Sequence, residues 1–333
     1  MTVPRNRGAS LLRTTVMAVS LGIAVAGCAT PFDLQGHRGA RGLAPENTLA
    51  AFRKALEVGV TTLELDVHVT RDGVVVVTHD PRLNPAFTRD AAGRWVAEPG
   101  PAVIGLSLEE LQRHDVGRAQ PSSRYAAAWP ERADRDGERV PTLDALFAEV
   151  RRLGAGRVRF NIETKLTPTT PELTPDAETF ARAVLAVVER HGLQDRVSIQ
   201  SFDWRTLRVV QRLAPRIPLV ALTVRGANFN NIDDGRWTAG LSLAAHGGSV
   251  PRLVKALGAA TWSPFHGDLT EAQLAEAHAL GLAVVPWTVN DPARIDTLIG
   301  WKVDGLISDY PDRVRAALAR LGMALPRAYG LLD

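Results

Sequence analysis

Glu64 and Asp66 stand two residues apart in a segment, residues 61–69, that alternates strictly between apolar and polar side chains. In a strand of that pattern Leu63, Leu65 and Val67 share one face, while Glu64, Asp66 and His68 share the other. Two carboxylates on one face repel unless a positive group lies between them. A second segment, 157–165, carries Asn161, Glu163 and Lys165 with the same polar parity. Three converging carboxylates, with no cysteine and no clear histidine ligand, suit one hard divalent cation such as Mg²⁺ or Ca²⁺. Salt bridges to Arg41, Arg159 and Lys165 are the plainer alternative for the same acids. His37 and His79 each end an apolar, strand-like run, next to Arg38 and Asp80 respectively. Histidine alone has an ordinary pKa suited to both accepting and donating a proton near neutral pH. Two imidazoles near a metal can therefore divide proton abstraction from proton donation. The structural reading stays open for both, and His68, His114, His191, His246, His266 and His278 receive only that reading. Arg38 and Lys165 add positive charge suited to a phosphate diester and the charge it develops. Trp287 offers an apolar face to a small alcohol, or simply rim packing.

These residues need a scaffold that brings distant segments to one place. Residues 35–37 end a first strand, and 46–58 read as a helix. A tight turn at Arg71-Asp72-Gly73 predicts a hairpin with 74–77, an excursion from the main sheet. Residues 84–140 are rich in Pro, Gly, Arg and Asp, with only 106–111 helical in pattern. Regularity returns with a helix at 142–153 and the strand 157–165. Further strands are predicted at 197–201, 218–222, 260–264, 283–289 and 303–308. Helices are predicted at 177–190, 204–213 and 271–280, while 225–248 is long, polar and unassigned. Every strand but the last is clearly followed by a helix. Without the hairpin this gives eight alternating units, the pattern of a parallel sheet covered by helices. A TIM (β/α)₈ barrel with a small capping insertion after the second strand fits best. A doubly wound open sheet is the alternative, weakened by the lack of a glycine-rich phosphate turn after the first strand. The polar candidates, with Gln200 ending a strand and Trp287 near the end of another, fall at the carboxyl ends of the strands, where barrels build active sites.

The 333 residues are 45% hydrophobic and 23% charged, which excludes disorder, collagen and a polytopic membrane protein. An isoelectric point of about 9.3 invites a nucleic-acid partner. However, Arg5, Arg7 and Arg13 lie in residues 1–27, which hold no acid. Without them Lys and Arg fall from 39 to 36, matching the 36 Asp and Glu. A neutral body offers no footprint for a phosphate backbone, so no nucleic-acid partner is expected. The same three arginines precede a short apolar run, residues 16–26, the layout of an export signal. The run ends Val25-Ala26-Gly27-Cys28, which resembles a bacterial lipobox. That likeness implies a signal peptide over 1–27, acylation of Cys28, a tether over 28–33 and an exported, membrane-anchored protein. A simple signal peptide with an incidental cysteine is the alternative. The barrel then covers 34–320 and a tail 321–333. The patterning assigns no oligomeric state.

The ordered motifs His37-Arg38-Gly39, Pro45-Glu46-Asn47-Thr48, Glu64-Leu65-Asp66-Val67, Gly73 to His79-Asp80 and Glu163-Thr164-Lys165 resemble the glycerophosphodiester phosphodiesterase family. Gln200-Ser201-Phe202, Trp287-Thr288-Val289-Asn290 and the run from Asp304 to Pro311 extend the likeness over residues 34–318. The resemblance implies a TIM-type barrel that hydrolyses glycerophosphodiesters to sn-glycerol 3-phosphate and an alcohol. It implies metal ligation by Glu64, Asp66 and Glu163, with Glu46 close by as a ligand or an acceptor behind the ligands. It assigns acid/base roles to His37 and His79, phosphate contacts to Arg38 and Lys165, and packing on glycerol to Trp287. Gln200 belongs to the same substrate-facing set. Ser308 replaces a more usual threonine, and Leu83 to Thr88 only partly matches the run that follows His79-Asp80. Two other functions remain in view: a phospholipase D-like enzyme on lysophospholipids, and a lipoprotein that binds glycerophosphodiesters without cleaving them. The second would need Arg38, Lys165 and Trp287 but not two histidines.

Overall fold

The structure is a computed structural model that describes residues 1–4 and 31–330. The chain divides into two compact units, residues 1–31 and 32–333. The apolar run at 16–26 and Cys28 lie outside the described residues. No helix among the described residues is long and apolar enough to cross a membrane.

Among the described residues of the larger unit nine strands form: β1 Asp33–Gly36, β2 Thr62–Val69, β3 Val75–Val77, β4 Arg159–Thr164, β5 Val197–Ser201, β6 Leu219–Thr223, β7 Thr261–Pro264, β8 Ala283–Val284 and β9 Gly305–Ser308. All pairs in the order β8-β7-β6-β5-β4-β2-β1-β9 are parallel, and β3 pairs antiparallel with β2 as the predicted hairpin. The ends of that row meet. Asp304 N donates to Val284 O at 2.9 Å, Ile307 N to Pro286 O at 3.1 Å, and Val289 N to Ile307 O at 2.9 Å. The sheet is thus a nearly closed parallel barrel of eight strands, as expected, and the open-sheet alternative falls. Regular strand at 283–289 shrinks to two residues because Pro286 has no N–H to give to the ladder.

Ten α-helices accompany these strands among the described residues. They are α1 Leu49–Val58, α2 Leu108–Leu111, α3 Arg124–Ala128, α4 Leu143–Arg152, α5 Ala177–Arg190, α6 Trp204–Leu213, α7 Val250–Leu257, α8 Glu271–Ala279, α9 Pro292–Gly300 and α10 Pro311–Arg320. The last strand is followed by a helix after all: Pro311 at the first turn of α10 opens it with its fixed φ and no N–H to waste. Helix α1 starts three residues later than predicted. Asn47 takes a left-handed conformation, φ 54°, and the Thr48 hydroxyl caps the helix by accepting from Ala51 N.

Leu63, Leu65 and Val67 are fully buried and pack between β2 and the helices. Their alternation turns Glu64 and Asp66 to the other face of the same strand. The insertion at 84–140 has a small core of its own, Val103, Leu111, Val116 and Val140, closing on Leu83 just before it and on Val76 of β3. The unassigned stretch 225–248 is a loop pinned by Asn231, whose side chain donates to the carbonyls of Leu222 and Phe202. It lays Phe229 against Phe202, with Trp237 packed in turn against Phe229.

Candidate active site

Parallel register carries β2 and β4 level with one another: Glu64 stands opposite Asn161, and Asp66 opposite Glu163. Glu64, Asp66 and Glu163 each bring one carboxylate oxygen within 4.8 Å of the others, and all three are buried. Arg38 reaches into this cluster from the turn after β1. Its Nε lies 3.2 Å from Asp66 Oδ2 and its Nη1 donates to Glu46 Oε1 at 2.7 Å. Lys165 Nζ is 2.7 Å from Glu163 Oε1 and 3.7 Å from Asp66 Oδ1. The plainer salt-bridge reading thus holds only for Lys165. Arg41 bonds Asp309, and Arg159 reaches Asp33 at the far end of the barrel.

The electrostatics of the three acids are unequal. Burial, the charge of Asp66 and that of Glu163 push the Glu64 carboxyl well above its ordinary range. Burial acts the same way on Asp66, but the Arg38 guanidinium, His79 and Lys165 hold that carboxyl well below its usual value. Glu163 is pushed up to about 7 by burial, with Lys165 opposing and Asp66 adding to the rise. Asp66 Oδ1 is buried and accepts no hydrogen bond. Three crowded carboxylates, one with an orphaned oxygen, make an all-oxygen donor set that fits a hard divalent cation. A bound dication would remove the repulsion that now raises Glu64 and Glu163.

Behind the acids lies an amide chain. Gln200 Nε2 donates to Glu64 Oε1 at 2.6 Å, while its own oxygen accepts from Asn161 Nδ2 at 2.8 Å. Arg38 N donates to Glu64 Oε2 at 2.8 Å, so Glu64 is held from both oxygens. Asn47 Nδ2 donates to Asp66 Oδ2 at 2.9 Å, which is what its left-handed backbone accomplishes.

The two histidines flank the acids with matching geometry. His37 Nδ1 lies 2.6 Å from Asp309 Oδ1, and its Nε2 is 3.9 Å from Glu64 Oε2. His79 Nδ1 lies 2.7 Å from Asp80 Oδ1, whose other oxygen accepts from Asn84. In each ring a carboxylate takes Nδ1 and leaves Nε2 for the pocket. Burial lowers His37 to about 4 even though Asp309 pulls the other way. Burial, Arg38 and Lys165 lower His79 as well. His68, by contrast, is buried and directs Nε2 to the His79 carbonyl at 3.1 Å, a structural position.

Asp309 was not singled out by the sequence reading, which placed Arg38 beside His37 as its partner. The carboxylate comes from the far end of the chain, just past β9, and is fixed by Arg41 and by Asn290 Nδ2 at 2.6 Å. Its signal was present in the closing motif but carried no chemistry until the barrel closed. Tyr125 of α3 was missed too. Its hydroxyl donates to Glu46 Oε2 at 2.6 Å and so ties the insertion to the site. Both Glu46 oxygens are thereby engaged, one by Arg38 and one by Tyr125, and Glu46 stands behind the triad rather than within it.

His37, Arg38, Glu64, His79, Glu163, Lys165, Gln200 and Trp287 line one pocket of about 180 Å³. Its apolar wall is Phe202 set edge-on to Trp287, with ring centres 5.2 Å apart, and Trp287 Nε1 donates to Ser263 O. A wider recess of about 470 Å³ between α5 and α6 lies outside the barrel and gathers no paired histidines. The small polar pocket is the one that can do chemistry on a phosphodiester: positive groups for the anion, two oriented imidazoles, and an apolar shelf.

Solved structures share this barrel architecture. A structure from Silicibacter pomeroyi DSS-3, provisionally assigned as a glycerophosphoryl diester phosphodiesterase, superposes with a TM-score of 0.79 at 34% identity, covering 90% of this chain and 96% of that one. An Oleispira antarctica phosphodiesterase in complex with the product sn-glycerol-3-phosphate shares the fold, with a TM-score of 0.63 at 23% identity over 86% of this chain and 96% of that one. The glycerophosphoryl diester phosphodiesterase family model matches residues 37–313. A glycerophosphodiester phosphodiesterase of Bacillus subtilis is 29% identical over 83% of both chains. One from Caldanaerobacter subterraneus subsp. tengcongensis is 28% identical over 83% of this chain and 93% of its own. The fold and site define a phosphodiester-hydrolysing (β/α)₈ barrel. Within that class, the chain belongs to the glycerophosphoryl diester phosphodiesterase family and is an enzyme of that activity.

Proposed function

We propose that the enzyme hydrolyses small glycerophosphodiesters to sn-glycerol 3-phosphate and an alcohol, with His37 and His79 as the acid/base pair. The observation that carries this reading is the pair of Nδ1–carboxylate contacts, His37 with Asp309 and His79 with Asp80, on two sides of one acidic cluster. Glu64, Asp66 and Glu163 would hold one Mg²⁺ or Ca²⁺ ion. When bound, that ion supplies charge neutralisation for the diester and its transition state. Arg38 and Lys165 orient the phosphate oxygens, and Trp287 with Phe202 packs against the carbon skeleton. One imidazole takes the proton of the attacking oxygen as the new P–O bond forms. The other returns a proton to the alcohol oxygen as the old P–O bond breaks. Gln200 and Asn161 hold Glu64, and Glu46 holds Arg38. These are positioning roles.

Ligand pockets for drug-sized molecules run to about 300–1,000 Å³. The 180 Å³ here favours a compact glycerophosphodiester over a lysophospholipid. We also propose that Cys28 is acylated and that the enzyme works outside the cytoplasm on a membrane, from the lipobox-like run before that residue. The test is choline release from glycerophosphocholine and from lysophosphatidylcholine, with sn-glycerol 3-phosphate assayed as the co-product from the first. Release from the first at a far higher kcat/KM is the expected result. Faster cleavage of the second would move the enzyme to the lysophospholipid reading, and no product from either would favour a binding protein.

A further inference from the structure

At the carboxyl-terminal end of the barrel the pocket cations Arg38, Arg41 and Lys165 are paired with buried acids, and Arg124 of the insertion is exposed without an ion pair among the described residues. At the opposite end lie the turns that lead from each helix back to the next strand. There Arg151, Arg157, Lys255, Lys302 and Arg327 are exposed, and none is in an ion pair among the described residues. The acids of that end are mostly engaged: Asp33 by Arg159, Asp195 by Arg216 and Asp304 by His278, which leaves Glu189. The body is neutral as a whole, so this excess is a matter of placement, not composition.

Apolar groups are exposed on the same end. Within residues 32–330 the exposed large hydrophobic side chains are Leu321 and Leu325, at 52% and 43%. Both follow α10 in the segment that runs back beneath the barrel. That segment is fixed there by Arg315, which donates to both Gly59 O and Pro326 O, and by Tyr329 N, which donates to Leu56 O at 2.9 Å. Strand β1 also starts at this end, where Asp33 N meets Asp304 O at 2.9 Å. Five residues carry the chain from Cys28 to Asp33, a reach of at most about 18 Å when fully extended.

We propose that the amino-terminal face of the barrel docks on an anionic lipid surface, with Leu321 and Leu325 at the apolar boundary and the free cations over the headgroups. The active-site mouth then opens away from the bilayer. A diacylated Cys28 would hold the chain at the surface by itself, and a neighbouring basic patch would then set which face of the barrel lies against anionic headgroups. The tether argument rests on the acylation of Cys28 proposed above, whereas the charges and the leucines belong to the folded barrel itself. An outward mouth receives diesters dissolved in the aqueous phase and turns from lipids still seated in the same membrane, in keeping with a small polar pocket.

The test places a fluorophore on the full chain at Leu325→Cys or, on the insertion, at Ala91→Cys. Each protein is bound to phosphatidylcholine vesicles with and without phosphatidylglycerol, with quenchers carried on the acyl chains. The label at 325 should be quenched at least about threefold more than that at 91. The difference should collapse in the Lys255→Glu/Lys302→Glu chain, whose turnover of glycerophosphocholine stays unchanged. Equal quenching, or stronger quenching at 91, overturns the proposal. The mass of the Cys28 peptide and the release of sn-glycerol 3-phosphate are read separately on unlabelled protein. In a Cys28→Ser background, where the introduced cysteine is the sole thiol, the contrast between 325 and 91 can still appear without acylation, and it can likewise appear without that activity. An acylated, active chain can still lack it.

Discussion

At the scale of single residues, His37 depends on a carboxylate 272 positions away in sequence, Asp309, for both its ring orientation and its tautomer. An amide in place of Asp309 can present N–H to Nδ1 and so trap the wrong tautomer. Asp309→Asn is therefore expected to lower kcat by about 10²–10⁴-fold with KM within a few-fold of wild type. Steady-state kinetics on glycerophosphocholine check this, and a loss confined to KM would remove Asp309 from the positioning role. His37→Ala should cost several orders of magnitude in turnover while metal affinity, measured by calorimetry, stays near wild type. Much of this site was legible in the sequence, because strict alternation along 61–69 fixed which face Glu64 and Asp66 share. The Asp309 partnership was not. No local pattern in Ser308-Asp309-Tyr310 says which imidazole it will meet, and that depends on β9 closing against β1.

Among the elements, helices α1 and α4 are joined through one acid. Glu149 accepts from Arg53 at 2.6 Å and from Arg152 at 2.8 Å. Arg152 above all, then Arg53 against the effect of burial, hold its carboxyl down to about 2. A folded-state value below the ordinary 4.5 means this stabilisation is fully present above pH 4.5. It fades as pH falls toward 2. Glu149→Gln should then lower stability by about 1–2 kcal/mol at pH 7, after allowance for screening around the exposed Arg152. The gap to wild type should shrink steadily between pH 4.5 and 2 in urea titrations. A gap unchanged across that range would assign the loss to packing. The insertion is coupled to the site through Tyr125, so Tyr125→Phe should raise KM several-fold by freeing Glu46 and with it Arg38, with a smaller effect on kcat. The start of α1 and the shortened β8 escaped the sequence reading for backbone reasons: Asn47 turns left-handed to reach Asp66, and Pro286 interrupts a ladder that its neighbours continue.

For the whole molecule, the eightfold alternation of strand and helix made the barrel legible before any coordinates. The insertion was legible as an interruption at 84–140, but its internal structure and that of the 225–248 loop were not, because their order comes from small separate contacts rather than from a repeating face. Barrel closure is what assembles the site, since β1, β2, β4, β8 and β9 each end near it. A dication that binds only the folded barrel must also stabilise it, by about 2.7 kcal/mol at a concentration one hundred times Kd. Thermal unfolding with EDTA and then with added Mg²⁺ or Ca²⁺ should show the midpoint rising with ion concentration in wild type but not in Glu163→Gln. A rise of equal size in both would place the ion elsewhere.

The most direct measurement is the turnover of glycerophosphocholine by exhaustively chelated enzyme titrated with Mg²⁺ or Ca²⁺, with bound ion counted in parallel. Turnover is expected to fall to background after chelation and to return fully at one ion per chain, and no ion should restore it in Asp66→Asn. Undiminished turnover in the chelated protein, or full recovery in Asp66→Asn, would contradict a reaction centred on Glu64, Asp66 and Glu163.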